Sequence, residues 1–196
     1  VVDGNKQLLS VGAKGMQSYD LKTGKEIWSL KHKSYNAAIR PVWLPTEGLA
    51  LINTGGRNGA FYAVRLDATT KGDITKSHIA WERPRGNPRF AKPIYHQGLI
   101  YQITDIGVVM ALDAKTGEEV WKGRAKGDYR GSPILAGEHL YFINEDGQTT
   151  ILEAGREHKE IAVNDVPEMG TTACPAVADG ALFVRGKKEL FKIQQL

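Results

Sequence analysis

The chain has 196 residues, of which 41% are hydrophobic, and 26 Lys and Arg against 22 Asp and Glu give a formal net charge of +4. This composition excludes a disordered segment, because enough apolar side chains are present to bury a core. The basic residues are scattered rather than gathered into a stripe, so we expect no nucleic-acid binding. No window approaches the ~18 consecutive apolar residues of a membrane-spanning helix, and we expect no membrane span.

A phrase of about ten residues recurs along the chain and indicates internal repeats. Tyr19-Asp-Leu-Lys-Thr-Gly-Lys-Glu-Ile-Trp28 returns as Leu112-Asp-Ala-Lys-Thr-Gly-Glu-Glu-Val-Trp121, and Leu66-Asp67 with Ile79-Ala-Trp81 form a copy with an enlarged loop. The tryptophans of these three copies are 53 and 40 residues apart. A second recurring position, the Pro anchor at residues 41, 93, 133 and 175, is spaced by 52, 40 and 42 residues. A spacing near 40 residues predicts the four-stranded blades of a β-propeller.

The repeats divide the chain into five predicted units of one all-β domain, residues 1–196. The units are approximately residues 1–30, 31–81, 82–121, 122–163 and 164–196. We expect an incomplete arc of four to five antiparallel blades, since the first unit lacks its Pro anchor and the last lacks a Trp-bearing fourth strand. Exposed strand edges would invite self-association with a second copy.

The third unit illustrates the predicted strands of a blade. Its pattern predicts strands around Pro93–Gln97, Gly98–Thr104, Val108–Leu112 and Glu119–Lys122. The final turn, Asp113-Ala-Lys-Thr-Gly117, pairs an Asp that bonds the backbone ahead of it with a Gly that adopts positive φ.

The recurring Trp, Asp and Gly residues are predicted to be structural. A large aromatic at a fixed place on each outer strand packs between neighbouring sheets. Calcium binding by the turn aspartates is the weaker alternative, because isolated carboxylates do not supply six to eight oxygen ligands. These structural positions are Trp28, Trp81, Trp121, Asp20, Asp67, Asp113, Gly24 and Gly117.

The sequence offers no motif for catalysis or metal binding, and we assign no catalytic, cofactor or metal residue. The five histidines are spread along the units, whereas metal sites need clustered ligands. Cys174 is the only cysteine, which excludes an intrachain disulfide. We expect it to be a small buried hydrophobe.

The phrase Ala111-Leu-Asp-Ala-Lys-Thr-Gly-Glu-Glu-Val-Trp121 resembles the repeat of the pyrroloquinoline-quinone-like (PQQ-like) propeller family, and the resemblance extends over essentially the whole chain. The stretches 71–81, 144–155 and 181–193 are similar to secreted propeller proteins of planctomycete-type bacteria. Those proteins are often labelled by similarity to the outer-membrane protein assembly lipoprotein (BamB-like), which acts by binding another protein. The resemblance implies a protein partner and a periplasmic or extracellular location, although the first residues carry no signal-peptide pattern.

Dehydrogenases of the wider superfamily hold the quinone in the central channel with calcium, carboxylate ligands, a Trp floor and a disulfide between adjacent cysteines. The single Cys174 departs from that pattern. We therefore favour a non-catalytic binding scaffold without a cofactor. The alternatives are part of a PQQ-dependent quinoprotein dehydrogenase that uses calcium, and a sensor module of a longer signalling protein.

The candidate partner-binding surface, for a protein segment or an anionic ligand, is formed by the segments that enter the first strand of each blade. In propellers such segments approach the mouth of the channel, and Arg and aromatic side chains are enriched at binding hot spots. The alternative is that they are ordinary solvated loops, since Arg is usually exposed. The candidate rim residues are Arg40, Arg89, Phe90, Lys92, Tyr129 and Arg130.

Overall fold

The computed structural model describes residues 4–35, 37, 39–56 and 59–194. Within these ranges the chain is almost entirely β, with one short 3₁₀ turn at Pro167–Met169, and none of the described helical structure is long and apolar enough to cross a membrane. The strands are β1 (Gln7–Gly12), β2 (Gly15–Asp20), β3 (Glu26–Lys31), β4 (Val42–Leu44), β5 (Leu49–Asn53), β6 (Phe61–Arg65), β7 (Gly72–Asp73), β8 (Ile79–Arg83), β9 (Ile94–His96), β10 (Leu99–Ile103), β11 (Val108–Asp113), β12 (Glu119–Arg124), β13 (Ile134–Ala136), β14 (His139–Ile143), β15 (Gln148–Glu153), β16 (Glu160–Asp165), β17 (Ala176–Ala178), β18 (Ala181–Arg185) and β19 (Leu190–Gln194).

The chain divides into two compact units. The first contains the residues up to Arg89 together with Ala114–Gly117, and the second contains Phe90–Asp113 and the residues from Glu118 onward. The first unit holds two four-stranded sheets, ordered β1-β2-β3-β7 and β4-β5-β6-β8. The second holds the four-stranded sheets β9 to β12 and β13 to β16 and the three-stranded sheet β17-β18-β19.

The sheets confirm the predicted fold class, an incomplete propeller of four-stranded blades. The four strands predicted in the third unit are β9 to β12, with ends that differ by at most two residues. One pairing was not foreseen. The enlarged loop ahead of Trp81 supplies β7, which pairs in parallel with β3 through Trp28 opposite Gly72, and Lys31 Nζ lies 2.8 Å from Asp73 Oδ2 beside that pairing.

Each recurring tryptophan lies opposite a small residue on the neighbouring strand, which leaves space for the indole. The pairs are Trp28 with Ser18, Trp81 with Ala63, and Trp121 with Ala111. In the sheet β13 to β16 the order of sizes is reversed, because Ala162 takes the tryptophan position and Ile151 lies opposite it. The exchange keeps a bulky and a small side chain together, as close packing requires.

The turn from Asp20 to Gly24, a copy of the Asp-x-x-Thr-Gly motif, is held by the aspartate side chain. Asp20 Oδ1 accepts hydrogen bonds from the backbone N–H of Thr23 at 2.7 Å and from its hydroxyl at 2.8 Å, and these bonds lower the pKa of Asp20. Gly24 follows with φ of 68°. The glycine of the copy at residues 113–117 is packed more tightly than Gly24. A Cβ on Gly117 would lie 2.6 Å from the indole of Trp81, whereas a Cβ on Gly24 would meet nothing within 4 Å.

Candidate functional site

The candidate rim residues are divided between the two units. Arg40 and Arg89 belong to the first unit and are exposed. Asn53 is buried there and donates through Nδ2 to the carbonyl of Pro88 at 3.0 Å, which fixes the segment just before Arg89. Phe90, together with the rim residues that follow it in sequence, belongs to the second unit.

In the second unit, Phe90 and Arg130 are brought together. The guanidinium carbon of Arg130 lies 5.4 Å from the centroid of the Phe90 ring, and its Nε donates to Glu145 Oε1 at 2.7 Å. Phe90 is 45% exposed and Arg130 is also exposed. The cation–π contact and the ion pair together restrain a long side chain that would otherwise sample many rotamers.

Tyr129, the residue before Arg130, is buried and does not present its ring to solvent. It is 1% exposed, and burial raises its pKa. Its hydroxyl donates to the carbonyl of Lys126 at 3.0 Å, and its backbone N–H donates to the carbonyl of Asp105 at 3.0 Å. Tyr129 therefore anchors the segment that carries Arg130.

A ladder of hydrogen bonds joins the residues that immediately precede successive Pro anchors. The half-buried Lys92 donates its backbone N–H to Ser132 Oγ at 2.9 Å, and Ser132 donates its own to Cys174 Sγ at 3.2 Å. The prediction that Cys174 is buried was wrong, because the thiol is exposed. A position ahead of Pro175 lies in a surface segment rather than in a strand core, so an apolar neighbourhood in sequence did not mean burial.

Asn144 ties the neighbouring hairpin turn to the segment before Arg130. Its Nδ2 donates to the carbonyl of Lys126 at 2.9 Å, and its Oδ1 accepts from the backbone N–H of Gln148 at 2.8 Å. Gly127 permits this approach, since its φ is 97° and a Cβ there would lie 2.4 Å from Asn144 Nδ2. The next residue, Glu145, is thereby held within reach of Arg130.

A small cavity adjoins this ion pair. Its volume is about 120 Å³, and it is lined by Glu145, Gly170, Thr171, Thr172, Arg185, Gly186 and Lys187. Sequence analysis missed these residues as a site. The hairpin around Glu145 and the Arg185-Gly-Lys187 run were the available signals, but nothing local indicated that two stretches about 40 residues apart in sequence would meet.

A quinone and calcium site was the alternative that the sequence left open. Within the described ranges, no group of three or more His, Cys, Asp or Glu side chains could hold a metal ion. The adjacent cysteine pair of those enzymes has no counterpart either, because Cys174 is the sole cysteine.

Comparison with known proteins identifies a family. The model of the family described as outer membrane protein assembly factor BamB matches residues 17–159, well over half of the chain. No curated protein sequence matches significantly.

Solved structures share the fold at low sequence identity. The crystal structure of BamB from Moraxella catarrhalis is similar with a TM-score of 0.73 and 15% identity, covering 99% of this chain and 59% of BamB. The quinohemoprotein alcohol dehydrogenase ADHIIG from Pseudomonas putida HK5 is similar with a TM-score of 0.58 and 16% identity, covering 81% of this chain and 29% of the enzyme. A europium-containing methanol dehydrogenase has a TM-score of 0.50 and 18% identity, covering 64% of this chain and 24% of the enzyme. The chain thus spans about three fifths of the BamB structure and less than a third of either dehydrogenase.

Proposed function

Because this chain belongs to the family of outer membrane protein assembly factor BamB, we propose that it is a non-catalytic scaffold that binds a protein partner outside the cytoplasm. The observation that carries the proposal is the exposed pair of Phe90 and Arg130, which is held in place by Glu145. Aromatic and Arg side chains are enriched among the few residues that dominate binding at protein interfaces, and a restrained pair loses less entropy when a partner docks.

The support beneath this pair favours recognition by a rigid surface. Tyr129 and Asn144 are both buried and both hydrogen-bond to the carbonyl of Lys126, so the backbone beside Arg130 is fixed before any partner arrives. In this proposal Lys92, half-buried and close in sequence to Phe90, adds positive charge to the rim of the second unit. On the first unit, Arg40 and Arg89 are the proposed rim residues.

Site-specific photo-crosslinking in the native host tests the proposal. A p-benzoylphenylalanine at position 90 replaces one aromatic side chain by another, and the same group at Ile161, an exposed residue of β16, serves as the control. We expect a discrete adduct from position 90 that Arg130→Ala diminishes, and no matching adduct from position 161. Arg130→Lys retains the charge but not the planar contact with the ring, so it gives an intermediate yield. Identical adducts at both positions, or none at position 90, would contradict the proposal.

The second candidate function is part of a PQQ-dependent quinoprotein dehydrogenase, which the similarity to two such enzymes favours at the level of fold. Calorimetric titration of pyrroloquinoline quinone into the full-length protein, with and without Ca²⁺, separates the two. Tight calcium-dependent binding would replace the scaffold by the enzyme. We expect no heat of binding in either condition.

Self-association is a further property that we propose for the edge strand β19. Leu190 and Ile193 on that strand are 69% and 43% exposed, and an apolar edge strand promotes pairing with another chain. Sedimentation over a range of concentrations tests this expectation, which a concentration-independent monomer would contradict.

A further inference from the structure

We propose that the cavity beside Arg130 binds a carboxylate side chain of the partner, so that the partner docks through an acidic residue. The proposal rests on the proposed scaffold function and adds the chemistry of the contact. It concerns the second unit, where the cavity is bounded by Glu145, Thr172, Arg185 and Lys187 together with the backbone at Gly170 and Gly186.

The charges of the lining favour an anion. Arg185 and Lys187 are both exposed, and no ion pair within the described ranges engages either side chain. Glu145 is the one carboxylate of the lining, and Arg130 Nε lies 2.7 Å from it, so its negative charge is compensated. Two cationic side chains therefore remain to face a ligand.

The backbone around the cavity is rigid before any ligand arrives. The Thr171 hydroxyl donates to the carbonyl of Arg185 at 2.7 Å and accepts from the backbone N–H of Ala173 at 2.9 Å. Gly170 and Gly186 allow close packing, because a Cβ would lie 2.3 Å from the carbonyl oxygen of Glu145 in the first case and 2.4 Å from that of Glu168 in the second. A preformed site of this kind loses little entropy on binding.

The cavity has room for a carboxylate group. Its volume is about 120 Å³, whereas a single water needs only roughly 10–15 Å³ by the same measure. The exposed Thr172 also lines the cavity and can donate a hydroxyl hydrogen bond. A carboxylate fits this volume and accepts from both kinds of donor.

Titration of the amide spectrum by NMR with a matched pair of peptides tests the proposal. The probes are Ac-Gly-Gly-Glu-Gly-NH₂ and its Gln counterpart, which has the same shape without the charge. We expect the Glu peptide to shift the amide signals of Gly170, Thr172 and Gly186 in a saturable way, and the Gln peptide to leave them unchanged.

Variants of the cations identify the source of the binding. Lys187→Gln should weaken the affinity for the Glu peptide by about two- to fivefold, the range for one exposed ion pair. The double variant with Arg185→Gln should abolish saturable binding. Arg130→Gln should also weaken the affinity for the Glu peptide, because the charge of Glu145 is then uncompensated, although Arg130 itself does not line the cavity. Lys122→Gln, which changes an exposed lysine on β12, is the matched control and should have no effect.

The outcomes separate this proposal from the scaffold function. Absence of saturable shifts, or equal shifts with both peptides, would overturn the carboxylate site. If position 90 still yields its crosslinked adduct in that case, the scaffold function stands and only the chemistry of the contact is wrong. If the Glu peptide binds as expected but position 90 yields no adduct, the scaffold function fails, and with it the assignment of this anion site to a partner protein.

Discussion

Replacement of Trp121 by Ala tests how strongly the recurring tryptophan stabilises the second unit. Its side chain is 8% exposed, its ring lies edge-on to His158 with centroids 5.2 Å apart, and the Tyr101 ring is 6.0 Å away. Its Nε1 donates to the carbonyl of Gly155 at 2.9 Å. Truncation of a buried Trp to Ala costs about 3–5 kcal/mol because it removes apolar contacts and leaves a cavity.

A second substitution separates ring packing from the hydrogen bond. Trp121→Phe keeps most of the ring contacts and removes the N–H, so we expect a loss of about 1–2 kcal/mol, mostly the hydrogen bond and some packing. The Tyr101 hydroxyl, 3.4 Å from the same carbonyl, retains one donor for Gly155 in that variant. Lys122→Ala alters the adjacent exposed residue and should change stability by no more than about 0.5 kcal/mol.

Urea unfolding followed by far-ultraviolet circular dichroism measures these differences, since fluorescence would itself change when an indole is removed. The expected order of loss is Trp121→Ala, then Trp121→Phe, then Lys122→Ala. A loss below about 1 kcal/mol for Trp121→Ala, which is less than expected for an ordinary core truncation, would refute the reasoning. Equal losses for the Ala and Phe variants would refute the division between ring and hydrogen bond.

Three further predictions concern backbone geometry and pH. Gly147 has φ of 91°, and a Cβ there would lie 2.1 Å from the carbonyl oxygen of Val166, whereas Gly137 has φ of 59° and open space around it. Gly147→Ala should therefore lower the free energy of unfolding by at least about 2 kcal/mol more than Gly137→Ala in the same urea assay. Burial lowers the pKa of His32 from 6.5, so the unfolded state binds more protons, stability should fall as the pH drops through and below 6.5, and His32→Gln should remove that slope in thermal melts. Burial, and then a neighbouring carboxylate, raise the pKa of Tyr62 to about 12. Stability should therefore fall as the pH rises above 10, and Tyr62→Phe should reduce that fall in alkaline unfolding, to which the buried Tyr101 and Tyr129 also contribute.

The strands and turns could be predicted because their signals are local. Short apolar runs and turn signals, such as the Asp-x-x-Thr-Gly turn between β11 and β12, specify a hairpin within about ten residues. The pairing of β7 with β3 could not be predicted, since β4, β5 and β6 lie between Trp28 and Gly72 in the sequence.

The candidate site could be predicted only in part. An aromatic next to an Arg has the same sequence signal whether the ring is exposed, as in Phe90, or buried, as in Tyr129. Tertiary packing brings Glu145 to the same cavity as Arg185 and Lys187. No pattern along the chain indicates that these residues lie close together. The exposure of Cys174 was missed for the same reason, because burial depends on neighbours that are remote in sequence.

The most direct test of the central claim is the affinity of the partner recovered by crosslinking from position 90. Titration calorimetry would compare the unmodified protein with Arg130→Ala and with Arg156→Ala, which changes an exposed arginine that lines neither the rim nor the cavity. We predict that Arg130→Ala weakens binding by about 30-fold or more, as expected for a hot-spot residue worth about 2 kcal/mol, and that Arg156→Ala has little effect. Equal affinities for the two variants would contradict the account.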